Sequence, residues 1–577
     1  MAVFALIVAN GLKTEPGSTT VRSYADAWAK GDTKLMYKQL SPESQAKYPY
    51  KTFSRLIRRA RNIATVKAIT IERVREVGES EWEIDTKIAT RAFGSIVKPL
   101  RLPVSGSGEN ALIKWDRQFV FPGITAGAKL TRTTELPDRG DLLARGGEVL
   151  AQGDDRSSPI PEVAVEVRGS LAPIPQERRA YYYARGYPAD AQVGATGLER
   201  ILESRLAGTP GGTLKAGAQV IASSQPRRTA AVRTTVDVDV QRAAIAALAG
   251  RLGGVVAIRP RTGEIVAFSG IAFSGLQPPG STFKIITLAA ALQAKVAKPS
   301  DSFPEVASVQ LSGVEFQNAD QEVCGGTLTR AFAKSCNSVF GPLGAEVGGK
   351  RLVEMADRFG FDAKPDILGA ATSVMPSEGQ LGDDLAVGSA AIGQNTVQAT
   401  SLQMALVAAT IALDGRRPRL TLDNAAVNGR APTTPVVSPK VAAEIERMML
   451  ATVRTGTGSN AAIDGVKVAG KTGTAELKET QIECDPDKPP VDDTATTTTT
   501  TNTTATTTTP SATENPEDRP CPKPTAKDTT AWFTAYAPAG NPEIAVAVVL
   551  PASGQGRDTA APAAKTVIEA ALARFGN

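Results

Sequence analysis

A chain of 577 residues is too long to enclose one hydrophobic core and points to three or four domains. Its 42% hydrophobic content and net charge of +6 describe an ordinary globular protein, with no dense basic run interleaved with aromatics to bind nucleic acid. Histidine is absent, which removes Ser-His-Asp and Cys-His catalysis, histidine-ligated zinc and imidazole bases together; acid–base chemistry must use Lys, Asp, Glu, Tyr or Ser.

Ala2 to Val8 is apolar but far short of the roughly 20 residues that span a bilayer. No basic n-region, small-residue cleavage site or early Cys accompanies it. Either the chain is cytoplasmic or residues 1–18 are the remnant of a longer signal or membrane anchor; the residues further along the chain favour the second. From Thr19 to Leu40 the stripe Val21, Tyr24, Ala25 and Trp28 predicts an amphipathic helix. Ser41-Pro42-Glu43 then reads as a capping serine with proline at the first helical position. A basic helix around Phe53–Ile63 is followed by strand-like runs at Ile69–Val77, Trp82–Thr90 and Leu112–Phe121. Residues 19–136 are expected to form a small α+β domain with a curved antiparallel sheet.

Residues 137–226 are loop-rich and charged, with Arg139-Gly140-Asp141, Arg145-Gly146-Gly147 and Gly197-Leu198-Glu199 as their marked features. The third part, 227–577, opens with a hairpin signature: Val255–Arg259, a turn at Pro260–Gly263, and Glu264–Ser269. Val491 to Pro510 is almost pure threonine, which cannot bury a core, so 477–528 is expected to be a disordered insertion. The four cysteines, Cys324, Cys336, Cys484 and Cys521, contain no C-x-x-C pair. They fit two local disulfides in an oxidising compartment or four buried thiols, and composition does not choose between these.

The chemistry concentrates at Ser281-Thr282-Phe283-Lys284, which follows Pro279-Gly280 and opens an apolar helical run to Leu292. Serine and lysine three apart share a helix face, so Lys284 is expected to reach the Ser281 hydroxyl. A desolvated lysine gives up its proton and can serve as the base that histidine cannot be here. S-x-x-K alone is weak: Ser44–Lys47 and Ser95–Lys98 match it too. Ser335-Cys336-Asn337 is the only S-x-N and Lys471-Thr472-Gly473 the only K-T-G, and they follow Ser281 in that order. Taken singly, Ser335 reads as a helix cap, Lys471 as a solvated strand end and Gln394 as a loop residue. Gly473 is placed on an edge strand, where a missing side chain would let a substrate backbone lie close.

These residues resemble class B penicillin-binding proteins. Pro279 to Lys284, Gly393-Gln394-Asn395, Thr455-Gly456-Thr457-Gly458, Gly470 to Glu476, Ala531-Trp532-Phe533-Thr534 and Ile544–Leu550 all carry the likeness. The middle segment resembles that family's dimerisation or pedestal domain, although Ala144 stands where the family usually has Asp. The first domain resembles the nuclear-transport-factor-like domain of methicillin-resistance transpeptidases and actinobacterial penicillin-binding lipoproteins. The resemblance implies a multidomain α+β fold: 19–136 nuclear-transport-factor-like, 137–226 an elongated pedestal, and 227–577 a β-lactamase-like serine transpeptidase with a central antiparallel sheet flanked by helices. It implies a peptidoglycan D,D-transpeptidase in which Ser281 forms the acyl-enzyme and Lys284 takes its proton. Ser335 and Asn337 would relay protons and hold the substrate amide; Lys471 and Thr472 would meet the stem-peptide carboxylate. Thr474 and Ser281 would supply oxyanion-hole N–H groups, beside Gly473 and Gln394.

No cofactor or metal is implied. The implied partners are stem peptides, β-lactams, the membrane through an N-terminal anchor, and a peptidoglycan glycosyltransferase, at the extracytoplasmic face of the membrane. Cys324 is expected to bridge Cys336 behind the S-x-N loop, and Cys484 to bridge Cys521 across the base of the threonine tract. The alternatives are a D,D-carboxypeptidase, a β-lactamase, or a non-catalytic β-lactam sensor or scaffold. Against the second stands the lack of a Glu-x-x-Leu-Asn loop.

Overall fold

The stripe Val21, Tyr24, Ala25 and Trp28 is fully buried, on a helix that ends sooner than its periodicity suggests. In the computed structural model, which describes residues 18–78, 80–106, 111–394, 396–476 and 529–576, α1 spans Ser18–Lys30 and α2 spans Thr33–Lys38. Gly31 (φ +77°) breaks the run, and Asp32 caps α2 by accepting from the N–H groups of Lys34 and Leu35 at 3.1 and 3.0 Å. The expected Thr19–Leu40 helix is thus two helices. Residues 1–17, Cys484, Cys521 and the threonine tract lie outside the described residues.

The chain divides into two compact units. The first comprises the residues up to Leu142, Ala151–Ser158 and Arg168–Val232; the second comprises Leu143–Leu150, Pro159–Val167 and the chain from Arg233 on. In the first unit, Ser41 caps α3 (Pro42–Lys47) and is followed by α4 (Tyr50–Ile63). The antiparallel sheet contains β1 (Val66–Gly78), β2 (Glu81–Thr90), β3 (Ser95–Val97), β4 (Leu100–Ser105) and β5 (Leu112–Ile113). The expected strand Leu112–Phe121 stops at Ile113. Asp116 caps a 3-10 turn at Arg117–Val120, and Trp115 turns inward to donate from Nε1 to the Tyr24 hydroxyl at 3.0 Å. Its ring meets Phe53 edge-on at 4.8 Å.

β6 (Leu130–Glu135) adds a second sheet with β7 (Gly211–Ala216) and β8 (Gln219–Ser224), and α5 (Arg179–Tyr183) lies between them in sequence. Leu214, Ala216 and Ile221 enter the same core as Trp28 and Ile57, so this part of the middle segment packs with the first. The charged motifs there meet in a buried cluster. Arg139 donates from Nε to Glu199 at 2.6 Å and from Nη2 to Glu203 at 2.7 Å, and Arg156 Nε reaches Glu199 at 2.8 Å. The Tyr187 hydroxyl and the Gly194 N–H also donate to Glu203.

In the second unit, α6 (Val238–Leu248) precedes β9 (Gly254–Arg259) and β10 (Glu264–Gly270), which form the expected hairpin. The five-stranded antiparallel sheet runs β10-β9-β13-β12-β11, with β11 at Ala469–Glu476, β12 at Thr529–Ala537 and β13 at Ile544–Leu550. Every residue of β12 and β13 is buried, because helices cover both faces. One face packs on α6 and the C-terminal helix Ala560–Phe575. The other packs on the helix Ser401–Ala412, where Thr534 donates to the Met404 carbonyl at 2.8 Å. Arg145 pairs with the buried Glu264 within this unit.

Removing one member of a buried ion cluster leaves an uncompensated charge. Glu199→Ala strands Arg156 and leaves Arg139 with Glu203 alone, and is expected to destabilise the first unit by roughly 3 kcal/mol, read as a lower midpoint in urea unfolding; an unchanged midpoint would show the cluster to be passive.

Candidate active site

Ser281 sits in a 3-10 turn, Gly280–Phe283, from which α7 (Lys284–Gln293) continues. Lys284, three residues after Ser281, follows the turn directly and starts the helix, the spacing that places i and i+3 on one side of a helical turn. The turn is held by two other segments and by a bond within itself. The Trp532 indole on β12 donates to the Pro278 carbonyl at 2.8 Å, the Gly280 N–H donates to Gly393 at 3.0 Å, and the Thr282 hydroxyl donates to Pro279 at 2.6 Å. Gly280 has φ +51°, and a side chain there would strike the Thr474 carbonyl at 2.6 Å, so the Ser281 turn lies directly against β11. Gly473 is in the middle of β11, at the sheet edge. The space its missing side chain opens is filled by the Pro279 carbonyl, at 2.8 Å from where a Cβ would be. Glycine here admits the turn that bears Ser281, a use of the position that the K-T-G pattern alone does not reveal.

Lys284 is fully buried and its amine does not bond to Ser281. It donates to the Ser335 carbonyl at 2.6 Å and to Asn337 Oδ1 at 2.7 Å, with the Ser335 hydroxyl at 3.4 Å. Lys471, also fully buried, donates to the same Ser335 hydroxyl at 2.8 Å and to the Thr472 carbonyl at 3.0 Å. The Thr472 hydroxyl shares a hydrogen bond with Thr457 at 2.5 Å. Burial drives the Lys284 ammonium well below the ordinary lysine range, and the neighbouring Lys471 lowers it further. Burial alone brings Lys471 down to about 7. The rings of Phe340 and Phe332, each 5.6 Å from one of the two amines, supply part of that apolar enclosure.

Ser335 ends α8 (Leu328–Lys334) in the left-handed region, φ +66° and ψ 33°, and Cys336 starts α9 (Asn337–Val347). It is neither a helix N-cap nor, among the motif partners, is Lys471 a solvated strand end. A non-glycine residue there is held by its surroundings. Cys336 is bonded to Cys324, with Cα atoms 5.5 Å apart, behind the loop. Asn318 accepts from the Ser338 N–H at 2.8 Å and donates to the Val306 and Glu322 carbonyls, while Asn337 Nδ2 donates to Gln317 at 3.0 Å. Across the site, the Gly556 N–H donates to the Thr474 hydroxyl at 3.3 Å and Gln555 donates to Asp320 at 2.8 Å. Thr457, Asn318, Gln555 and Gly556 had no marking as site residues in the sequence; of these only Thr457 lies in a quoted motif.

Gln394 is half-exposed beside Gly393, bonded through its backbone to Ser389 and Val397. Ser44 of the second S-x-x-K is buried and accepts from the Trp115 N–H at 2.8 Å, and Ser95 of the third lies exposed on β3. Neither stands beside a buried amine: Lys47 is 61% exposed.

Residues 253–507 match the penicillin binding protein transpeptidase domain, 151–219 the penicillin-binding protein dimerisation domain, and 17–128 the NTF2-like N-terminal transpeptidase domain. The peptidoglycan D,D-transpeptidase PbpA of Mycolicibacterium smegmatis is 30% identical over 501 residues, covering 75% of this chain and 89% of that protein. PbpA of Mycobacterium tuberculosis is 33% identical over 323 residues, covering 52% of this chain and 56% of that protein. The penicillin G acyl-enzyme complex of penicillin-binding protein A from M. tuberculosis superposes with a TM-score of 0.54 at 27% identity, covering 75% of this chain and 99% of that one. A D,D-transpeptidase domain from Eggerthella lenta gives 0.56 at 26%, covering 76% and 99%.

The lowered amines have a consequence for stability. Between about 7 and the ordinary value of 10.5 for Lys471, the folded protein binds fewer protons than the unfolded chain. Stability therefore falls as pH drops through that window. Lys471→Met removes the titration, so its melting temperature relative to the parent should rise by several degrees from pH 10 to pH 7; a pH-independent difference would contradict the burial assigned to this amine.

Proposed function

We propose that this chain, which belongs to the penicillin-binding protein family of D,D-transpeptidases, cross-links peptidoglycan stem peptides through an acyl-enzyme on Ser281 and is acylated by penicillin at the same atom. The observation that carries this reading is the convergence of two desolvated amines on Ser335, one of them from Lys284, which opens the helix continuing from the Ser281 turn. A neutral amine has two N–H donors and one lone pair. The two short bonds of Lys284, to Ser335 and Asn337, use the donors, which leaves the lone pair to accept the Ser281 proton.

The Ser281 oxygen then adds to the carbonyl of the penultimate D-alanine, and the backbone N–H groups of Ser281 and Thr474 receive the oxyanion. Collapse breaks the bond to the terminal D-alanine, whose amine takes up a proton. Ser335, bonded to both lysines, is the group placed to deliver it. The proton delivered is the one Lys284 took from Ser281, which leaves the lysine neutral again; in the second half Lys284 takes a proton from the attacking amine of a neighbouring stem peptide and returns it to Ser281 as the ester bond breaks. Lys471 and Thr472 meet the substrate carboxylate, with Gly473 and Gln394 lining the approach; the arriving negative charge raises the lowered Lys471 pKa, so the amine takes up a proton from solvent as the carboxylate binds.

The chain acts outside the cytoplasm, where its substrate is. We assign it to the outer face of the cell membrane, beside a peptidoglycan glycosyltransferase, because uncross-linked strands must come from a polymerising enzyme. Among the described residues no helix is long and apolar enough to cross a membrane.

Fluorescent penicillin followed by intact mass tests the assignment. Ser281→Ala is expected to abolish the adduct with a parental melting curve, and Lys284→Ala, checked to unfold cooperatively, to slow acylation by roughly 10²-fold or more. The parent adduct should persist for hours. Undiminished labelling of either variant would overturn its role, and an adduct that vanishes within seconds would make the protein a hydrolase.

A further inference from the structure

The first unit contains a second cleft whose walls belong to no part of the chemistry above. Helix α4 buries Phe53, Ile57, Ala60 and Ile63 in the core and turns Lys51, Arg55, Arg58 and Arg59 outward, with no acidic residue anywhere along it. Like charges at i,i+3 and i,i+4 repel one another, so such a face is a cost to the helix. By itself it would be a solvated surface. Opposite it, however, stand Arg179 and Tyr183 of α5, and the two helices enclose a cleft of about 970 Å³ that also reaches Tyr50 and Tyr187. Five cations line this space and no carboxylate does. Among the described residues, Lys51, Arg55, Arg59 and Arg179 make no ion pair, whereas the arginines of the nearby Glu199 cluster are all matched to carboxylates.

The cleft is also held open. Arg132 donates from Nη1 to the Asn62 carbonyl at the end of α4, at 2.9 Å, and from Nη2 to the Tyr183 carbonyl at 2.5 Å. Its guanidinium lies 3.7 Å from the Tyr183 ring centroid, which fixes that ring's orientation. A single side chain thus sets the spacing of both walls, and the remaining cations are arranged around a prepared space.

We propose that this cleft binds an anion carrying two or more phosphate groups. Four cations without an ion pair among the described residues call for more than one negative charge, and Lys51, Arg55 and Arg59 spread them along about 12 Å of helix, at 1.5 Å per residue. Guanidinium forks fit the tetrahedral oxygens of phosphate through paired hydrogen bonds. The tyrosine rings add flat surface for the organic part between phosphates. A phosphodiester polymer and a cluster of phospholipid headgroups share this chemistry.

Full-length protein titrated with inorganic tripolyphosphate at low salt is expected to show saturable binding that weakens as salt is raised. Arg55→Gln/Arg59→Gln on one wall, and Arg179→Gln on the other, should each weaken it, the double variant by roughly tenfold or more with a shallower salt dependence. Melting temperature and penicillin acylation should stay at parental values. Co-sedimentation with vesicles of one part phosphatidylglycerol to three of phosphatidylcholine separates the sources: vesicle binding lost in the variants assigns lipid headgroups, and tripolyphosphate binding without it assigns a soluble phosphodiester. The proposal is overturned by absence of saturable binding to both probes, by variants that bind as the parent does, or by poly-glutamate of matched charge binding as tightly as tripolyphosphate.

Discussion

Two lysine amines, Lys284 and Lys471, are shut away from water within reach of one serine hydroxyl. Transferring a single unpaired ammonium out of water is costly, and placing two of them side by side adds their repulsion. Among the described residues neither amine has a carboxylate partner, so charge is relieved by loss of protons and by hydrogen bonds to oxygen dipoles. Lys284 spends its donors on the Ser335 carbonyl and Asn337, and Lys471 on the Ser335 hydroxyl and the Thr472 carbonyl. The surroundings of Ser335 must keep these dipoles in place, since any movement would leave a buried amine unsatisfied.

That demand accounts for the backbone around the site. Ser335 is held in a left-handed conformation, and the Cys324–Cys336 bond ties the next residue to the strand behind it. Asn318 spans from the start of α9 to two carbonyls of the neighbouring loop. On the other side, close approaches at Gly280, Gly393 and Gly473 let the Ser281 turn lie between β11 and the Gly393 loop with no side chain intervening. Beneath them the sheet strands β12 and β13 are buried throughout, which gives the edge strand β11 a rigid neighbour. Ser281 is therefore placed by contacts from β11, from Trp532 and from the Gly393 loop.

The first unit obeys a different balance. Its buried carboxylates, Glu199 and Glu203, are matched by Arg139 and Arg156, and the resulting cluster holds the loop-rich middle segment without a large apolar core. A short distance along the chain, α4 and α5 carry cations that have no such match. One arrangement is internally neutralised and the other is left for a ligand to neutralise.

Much of this was legible in the residues themselves. The buried stripe of α1, the Ser41 cap, the basic helix α4, the β9–β10 hairpin and the apolar run of β13 follow from local rules of periodicity and turn chemistry. The family resemblance at Ser281, Ser335 and Lys471 rests on spacing and order along the chain. What local rules missed was also local in appearance: the end of α1 at Gly31, and the loss of the strand after Ile113 to a turn that buries Trp115. Three S-x-x-K patterns are equivalent as four-residue strings; the motifs that follow Ser281 single one out, and packing shows the physical difference. Ser44 is spent on the Trp115 N–H and Lys47 faces water, whereas Lys284 is enclosed by α8, α9 and β11. The sequence by itself determined which groups exist and which can share a helix face, because helical spacing is a property of neighbours a few residues apart. The tertiary structure alone decided which lysine is desolvated, since exclusion of water is the joint effect of segments brought together from across the whole unit.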